Sequence, residues 1–151
     1  MDLIIDPPRA AGPVEIGMPI GAAEQALRSI SGFLPPTPGE RRAPGFAHYT
    51  SEMSIAVDAT QDGRVRSIEI YRPTEGVDIR LGEISIFGVP ADEVILRLGE
   101  MASLQVEDEG LRVVAPSLLI SLWRGTLPES PEDEDGRYFE SVLIAEPGYY
   151  D

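Results

Sequence analysis

One short pattern is written twice in this chain, roughly half a chain length apart. Gly17-Met18-Pro19, followed by Ile20-Gly21-Ala22-Ala23-Glu24-Gln25-Ala26-Leu27, has the same grammar as Gly88-Val89-Pro90, followed by Ala91-Asp92-Glu93-Val94-Ile95-Leu96-Arg97-Leu98. Each copy reads as a strand ending at Gly, an apolar residue, Pro, and then a short amphipathic helix. Segments that read as strands follow both helices. Such a repeat constrains architecture before chemistry, because each unit supplies an apolar face that its neighbour covers. It predicts one domain over residues 1–151 built from two pseudo-repeats, about 1–75 and 76–151.

In the first unit the spacing predicts an edge strand at Leu3-Ile4-Ile5, closed by Pro7-Pro8, since Pro cannot donate to a ladder. The helix that follows carries Ile20, Ala23, Leu27 and Ile30 on one stripe and stops at Ser31-Gly32. Residues 33–45 hold four prolines and two glycines and read as a loop. Met53, Ile55 and Val57 alternate on one strand face, and Asp62-Gly63 turns the chain into a return strand with Ile68 and Ile70 inward. In the second unit the apolar parity shifts after Gly82, from Ile79 and Leu81 to Ile84 and Ile86, which suggests a β-bulge. The helix from Pro90 to Gly99 carries two carboxylates in its first turn, Asp92 and Glu93, where the helix dipole favours them. A strand from Leu118 to Trp123 is set to answer Met53, Ile55 and Val57, with Val142 and Ile144 answering Ile68 and Ile70. The fold class expected is therefore α+β: a tandem helix-plus-antiparallel-meander repeat forming one sheet, with the helices packed on one face.

Charge narrows the partners. Twelve Arg and no Lys face 26 carboxylates, a net charge of −14. Residues 1–75 hold seven Arg against ten carboxylates, net −3; residues 76–151 hold five against sixteen, net −11. Nucleic acids and anionic membrane surfaces call for the opposite sign. An acidic half steers a basic protein partner instead. No apolar run approaches the roughly 18–20 residues of a bilayer helix. With no Cys and no basic-then-apolar start, the cytosol is the expected compartment.

The residue types leave little room for catalysis. His48 is the only histidine and no Cys exists to partner it. No Gly-x-Ser-x-Gly elbow is present, and the absence of Lys removes the phosphate-binding Gly-Lys loop. Neither acidic turn fits a calcium loop. With Gly136 as its sixth position the first would be Pro131; with Gly110 as the sixth, the first would be Gln105 and the twelfth Pro116. No catalytic residue, metal or cofactor is expected. The candidate partner-binding residues are Glu129, Glu132, Asp133, Glu134 and Asp135, in a mobile acidic loop, and Trp123, an aromatic anchor. Trp123 also suits a capping role at the core edge. The tail, Pro147-Gly148-Tyr149-Tyr150-Asp151, is either a frayed end or a pair of rings set against another subunit.

The paired Gly-x-Pro starts, the Glu-bearing first helix and the meanders resemble the α/β tandem repeat of the β-lactamase-inhibitor-protein-like fold. One such unit also occurs in small outer-membrane assembly lipoproteins. The resemblance implies a protein-binding module presenting a concave sheet; it transfers no individual residue. The expected function is non-catalytic protein binding of inhibitor or immunity type, as a monomer or homodimer, with the acidic C-terminal half meeting a basic partner. The alternative is a small-molecule-binding domain with a pocket between sheet and helices and weak hydrolytic activity near His48.

Overall fold

The structure, a computed structural model, describes residues 1–149. In chain order it runs β1 (Asp2–Asp6), β2 (Ala10–Ala11), β3 (Val14–Glu15), α1 (Ile20–Ser29), β4 (Phe33–Leu34), β5 (Phe46–Tyr49), β6 (Ser54–Ala59) and β7 (Val65–Tyr71). It continues with β8 (Asp78–Leu81), β9 (Ile84–Ser85), α2 (Ala91–Gly99), β10 (Gln105–Glu107), β11 (Arg112–Ala115), β12 (Ile120–Trp123) and β13 (Ser141–Ala145). Two α-helices among mostly antiparallel strands make this an α+β protein.

Strand alternation builds the larger sheet. Its eight strands are ordered β10-β11-β12-β13-β7-β6-β5-β4, with β13 and β7 antiparallel at the centre. Directly paired residues share a face. The register therefore draws one apolar row through Ala47, Ile55, Ile70, Val142, Leu122 and Val113. A second row runs through Val57, Ile68, Ile144, Ile120 and Ala115. Every one of these side chains is buried. Slipping any strand by one residue would turn its row to solvent, so the register is tightly specified.

The strands do not form one sheet. The segments preceding each helix form a second sheet of five strands, ordered β3-β2-β1-β8-β9, in which β1 and β8 run parallel. Both flanks of that sheet are closed by two-residue turns, Gly12-Pro13 between Ala11 and Val14 and Gly82-Glu83 between Leu81 and Ile84. Each turn places Gly at its first central position with positive φ, +55° and +59°, as such hairpins require. The parity shift at Gly82 is thus a hairpin and not a bulge. Residues facing each other across a two-residue turn sit three positions apart on one face, which is why Leu81 and Ile84 are both buried.

The helices close the core. α1 packs against β3, β4 and β6, burying Ala23 and Leu27, and α2 packs against β9, burying Ala91, Val94 and Leu98. Pro19 and Pro90 occupy the cap position with nearly equal torsions, φ −60° and −57°. At the far end of α1, the buried Tyr49 hydroxyl donates to the Leu27 carbonyl at 2.7 Å. That bond gives a terminal carbonyl a second, shorter partner beside the 3.4 Å bond from the capping Ile30 N–H, and burial pushes the Tyr49 hydroxyl pKa well up. Two further expectations are corrected. The strand through Leu3-Ile4-Ile5 is not at an edge: β1 is the middle strand of its sheet, paired with β2 on one side and β8 on the other. Leu118 belongs to a 3-10 turn, Pro116–Leu118, and Leu119 is left-handed at φ +55°, so the strand begins at Ile120.

Candidate functional site

The site is built where β12 ends. Alternation puts Leu122 in the core and Trp123 on the opposite face, 47% exposed. The next residue, Arg124, turns back into the protein and is buried. Its guanidinium donates to the Gly110 carbonyl at 3.0 Å, the Gly136 carbonyl at 2.9 Å and the Asp92 carboxylate at 3.2 Å. It also lies 5.6 Å from the centre of the buried Phe139 ring. A planar, five-donor group is suited to joining three separate acceptors.

The connection from Arg124 to Glu140 is consequently held at both ends. The Glu140 N–H donates to the Trp123 carbonyl at 2.7 Å, and its carboxylate accepts from the Gly125 N–H. The Arg137 carbonyl accepts from the Ala91 N–H of α2 at 2.8 Å, satisfying one free donor of that helix start. Gly136 has φ +76°, and a Cβ there would lie 2.2 Å from the Thr126 carbonyl oxygen. The loop expected to be mobile is tied to Gly110, to α2 and to the end of β12 through these contacts.

Between its ends the connection encloses an open concavity of about 670 Å³, lined by Glu129, Glu132, Asp133, Glu134, Asp135 and Glu140 together with Arg72 and Tyr138. Asp133 organises the rim. Its carboxylate accepts from the Glu129 and Asp135 N–H groups, both at 3.0 Å. Those two bonds, Glu129 first, hold its pKa below the ordinary carboxylate range. Arg72 and Arg137 flank the Tyr138 ring, 6.0 and 5.8 Å from its centre.

The outward face of the eight-stranded sheet leads to this concavity. Register places Leu34, His48, Ser54, Tyr71, Ser141, Trp123, Arg112 and Glu107 in one row across all eight strands. Tyr71 and Trp123 are its exposed aromatics, flanking the buried Ser141. The Tyr71 hydroxyl donates to Glu69 at 2.9 Å, and its pKa is raised by burial and then by that carboxylate. The Trp123 ring lies beside Gly125, where a Cβ would come within 3.3 Å of it.

Five of the six candidate residues, Glu129, Glu132, Asp133, Glu134 and Asp135, therefore share one concavity, and Trp123 stands beside it on the sheet face. His48 is placed elsewhere. It bonds Ser54 at 3.0 Å and packs edge-on against Phe46, while its neighbour Tyr49 points to the opposite face into the core. The residues that sequence reasoning missed are Arg124, which builds the loop, and Glu140, Arg72 and Tyr138, which complete its lining. An Arg directly after an alternating apolar strand was the one available signal. Among the described residues, no group of three or more His, Asp or Glu side chains could hold a metal ion, and no helix is long and apolar enough to cross a membrane. Tyr149 stacks on Arg66 at 5.2 Å; Tyr150 and Asp151 lie outside the described residues. Comparison of the chain with protein-family models, curated proteins and solved structures returned no match.

Proposed function

We propose that this chain is a non-catalytic protein-binding module of inhibitor or immunity type, which takes a basic partner on the surface formed by Trp123, Tyr71 and the acidic concavity. The carrying observation is the juxtaposition of exposed Trp123 with a preformed basin of carboxylates held in place by Arg124. Aromatic anchors beside charged groups are what hot spots are made of. A partner Arg or Lys would lay its stem on the indole and set its charge among the acids. The asymmetry of charge, −11 in residues 76–151, would speed the encounter.

The tandem-repeat layout, and with it the resemblance to the inhibitor-protein-like fold, belongs to the same proposal. Its support is the strand order, in which β4-β5-β6-β7 reads toward the sheet centre as β10-β11-β12-β13 does from the other edge. The test compares tagged wild type with Trp123→Ala and with the quadruple variant Glu132→Gln, Asp133→Asn, Glu134→Gln and Asp135→Asn. The proposal expects a basic protein to be retained by wild type, released as salt rises, and lost from both variants. Retention unchanged in both variants would overturn it.

A further inference from the structure

A second concavity lies on the other half of the molecule, far from the acidic connection in sequence and opposite in electrostatic character. It has a volume of about 430 Å³ and sits between α1, the start of β5 and the Pro-rich loop 35–45, within the size range of small-molecule sites. Its walls are largely apolar: Leu27, Phe33, Pro36, Pro44 and Phe46 contribute.

The wall formed by the loop is fixed by its own bonds. Glu40 accepts from the Thr37 N–H at 3.2 Å and pairs with Arg42, which in turn donates to the Leu34 carbonyl at 2.7 Å. Gly45 donates to the Glu24 carboxylate at 3.2 Å. It must be glycine, because φ is +79° and a Cβ would lie 2.4 Å from the Val57 carbonyl oxygen. A pocket with such a wall is formed before any ligand arrives, which lowers the cost of binding.

The charged groups at the pocket are not equally free. Arg42 and Glu24 are committed to these bonds. Among the described residues, eight of the twelve arginines lie within ion-pair distance of a carboxylate. The exposed Arg28 side chain, which lines the pocket, makes neither hydrogen bond nor ion pair among the described residues. The pocket lining itself carries two arginines, Arg28 and Arg42, and one carboxylate, Glu24, net +1, within a chain of −14. At physiological ionic strength charges are screened beyond about 8 Å, so the local sign governs what this pocket attracts.

We infer that this pocket binds a small aromatic carboxylate, its ring against Phe33, Phe46 and the prolines and its anion on Arg28. Flat rings pack well on aromatic edges and proline faces, and guanidinium is the side chain best matched to a carboxylate. The inference is independent of the protein-binding surface at Trp123.

The experiment titrates the full chain with 2-naphthoate and with its neutral isostere 2-naphthamide, by calorimetry and by amide chemical-shift mapping. Naphthoate is expected to bind saturably, with the largest shifts at Gly45, Phe46 and Ala47. Arg28→Gln, at an exposed position, should weaken naphthoate about tenfold or more and leave naphthamide unchanged. Ala43→Trp, at an exposed position lining the pocket, should remove both, and Trp123→Ala should alter neither. No saturable naphthoate binding, equal affinity for the two probes, wild-type affinity in Arg28→Gln, or shifts centred elsewhere would each overturn the inference.

Discussion

Two connections lead into the central strand pair of the large sheet, one from β6 to β7 and one from β12 to β13, and they differ in almost every respect. The first, between β6 and β7, turns within a few residues. Thr60 bonds Asp62 and the Arg64 carbonyl, and Gly63 supplies a positive φ of +81° with nothing within 4 Å of where its Cβ would stand. The second, between β12 and β13, runs through residues 124–140. Antiparallel strands need only a short turn to reverse, and irregular connections longer than about 12–15 residues are uncommon and usually functional or disordered. Lengthening a loop adds little closure entropy. The difficulty lies in the backbone carbonyls it carries inward, which need donors. Here Arg124 is that donor, and it is buried; in the first connection the Gly63 carbonyl accepts from the Ile20 N–H at 2.9 Å, and Arg64, which donates to the Gly17 carbonyl at 2.9 Å, stays exposed. The contrast teaches that the second connection is a built feature, with its own buried anchor, and not slack chain.

Removing the anchor should cost the most. Arg124→Met leaves the Gly110 and Gly136 carbonyls without their donor, at about 1–3 kcal/mol each, so urea denaturation should show a loss of about 2–6 kcal/mol. The Asp92 partner adds little to that figure, being 83% exposed on its side chain. Arg124→Lys should recover only part of it, because an ammonium cannot span the three acceptors. A loss below about 0.5 kcal/mol would mean that the second connection does not depend on its anchor.

A matched pair of glycine substitutions separates the two connections by packing. Both positions are left-handed, so each Gly→Ala costs about 1–2 kcal/mol in conformation alone. Gly63→Ala should cost only that. Gly136→Ala should cost more, because its Cβ would meet the Thr126 backbone at 2.2 Å. Equal losses in thermal unfolding would show that Gly136 is not tightly packed.

The smallest effect is a titration, and here the two connections converge. Asp62 is held below its ordinary pKa of 3.8 by the Thr60 hydroxyl, and Asp133 by the Glu129 and Asp135 N–H groups. A depressed carboxylate stabilises the fold above its unfolded pKa, and the contribution is lost as pH falls through the folded value. Carbonyl-carbon NMR should therefore place both midpoints below 3.8. Asp133→Asn should abolish the acid-dependent change in the Glu129 and Asp135 amides and leave the Asp62 titration untouched.

Much of this architecture was readable from residue order. Period-two alternation placed Ile55, Val57, Ile68, Ile70, Val142 and Ile144 in the core correctly, because a register slip there would expose them. Helical spacing located Ala23, Leu27, Val94 and Leu98 for the same reason. Alternation is silent about which sheet a strand joins, so the five-stranded sheet was not foreseen. It was also misled at Gly82, where a two-residue turn and a bulge shift parity alike, and at Leu118, where an apolar run continues through a left-handed residue. The acidic run was visible, and five of its carboxylates do share one concavity. What could not be read was its support. Arg124 reaches Gly110, Gly136 and Asp92 through space, and none of those separations leaves a mark in local sequence.

The most direct measurement is amide chemical-shift mapping of the full chain titrated with a tetra-arginine peptide. A recognition surface at the β12–β13 connection predicts saturable shifts concentrated in residues 123–140 and at Tyr71 and Arg72, weakened in Trp123→Ala and fading with added salt. Shifts scattered evenly over carboxylates of both halves, or equal in wild type and Trp123→Ala, would contradict it.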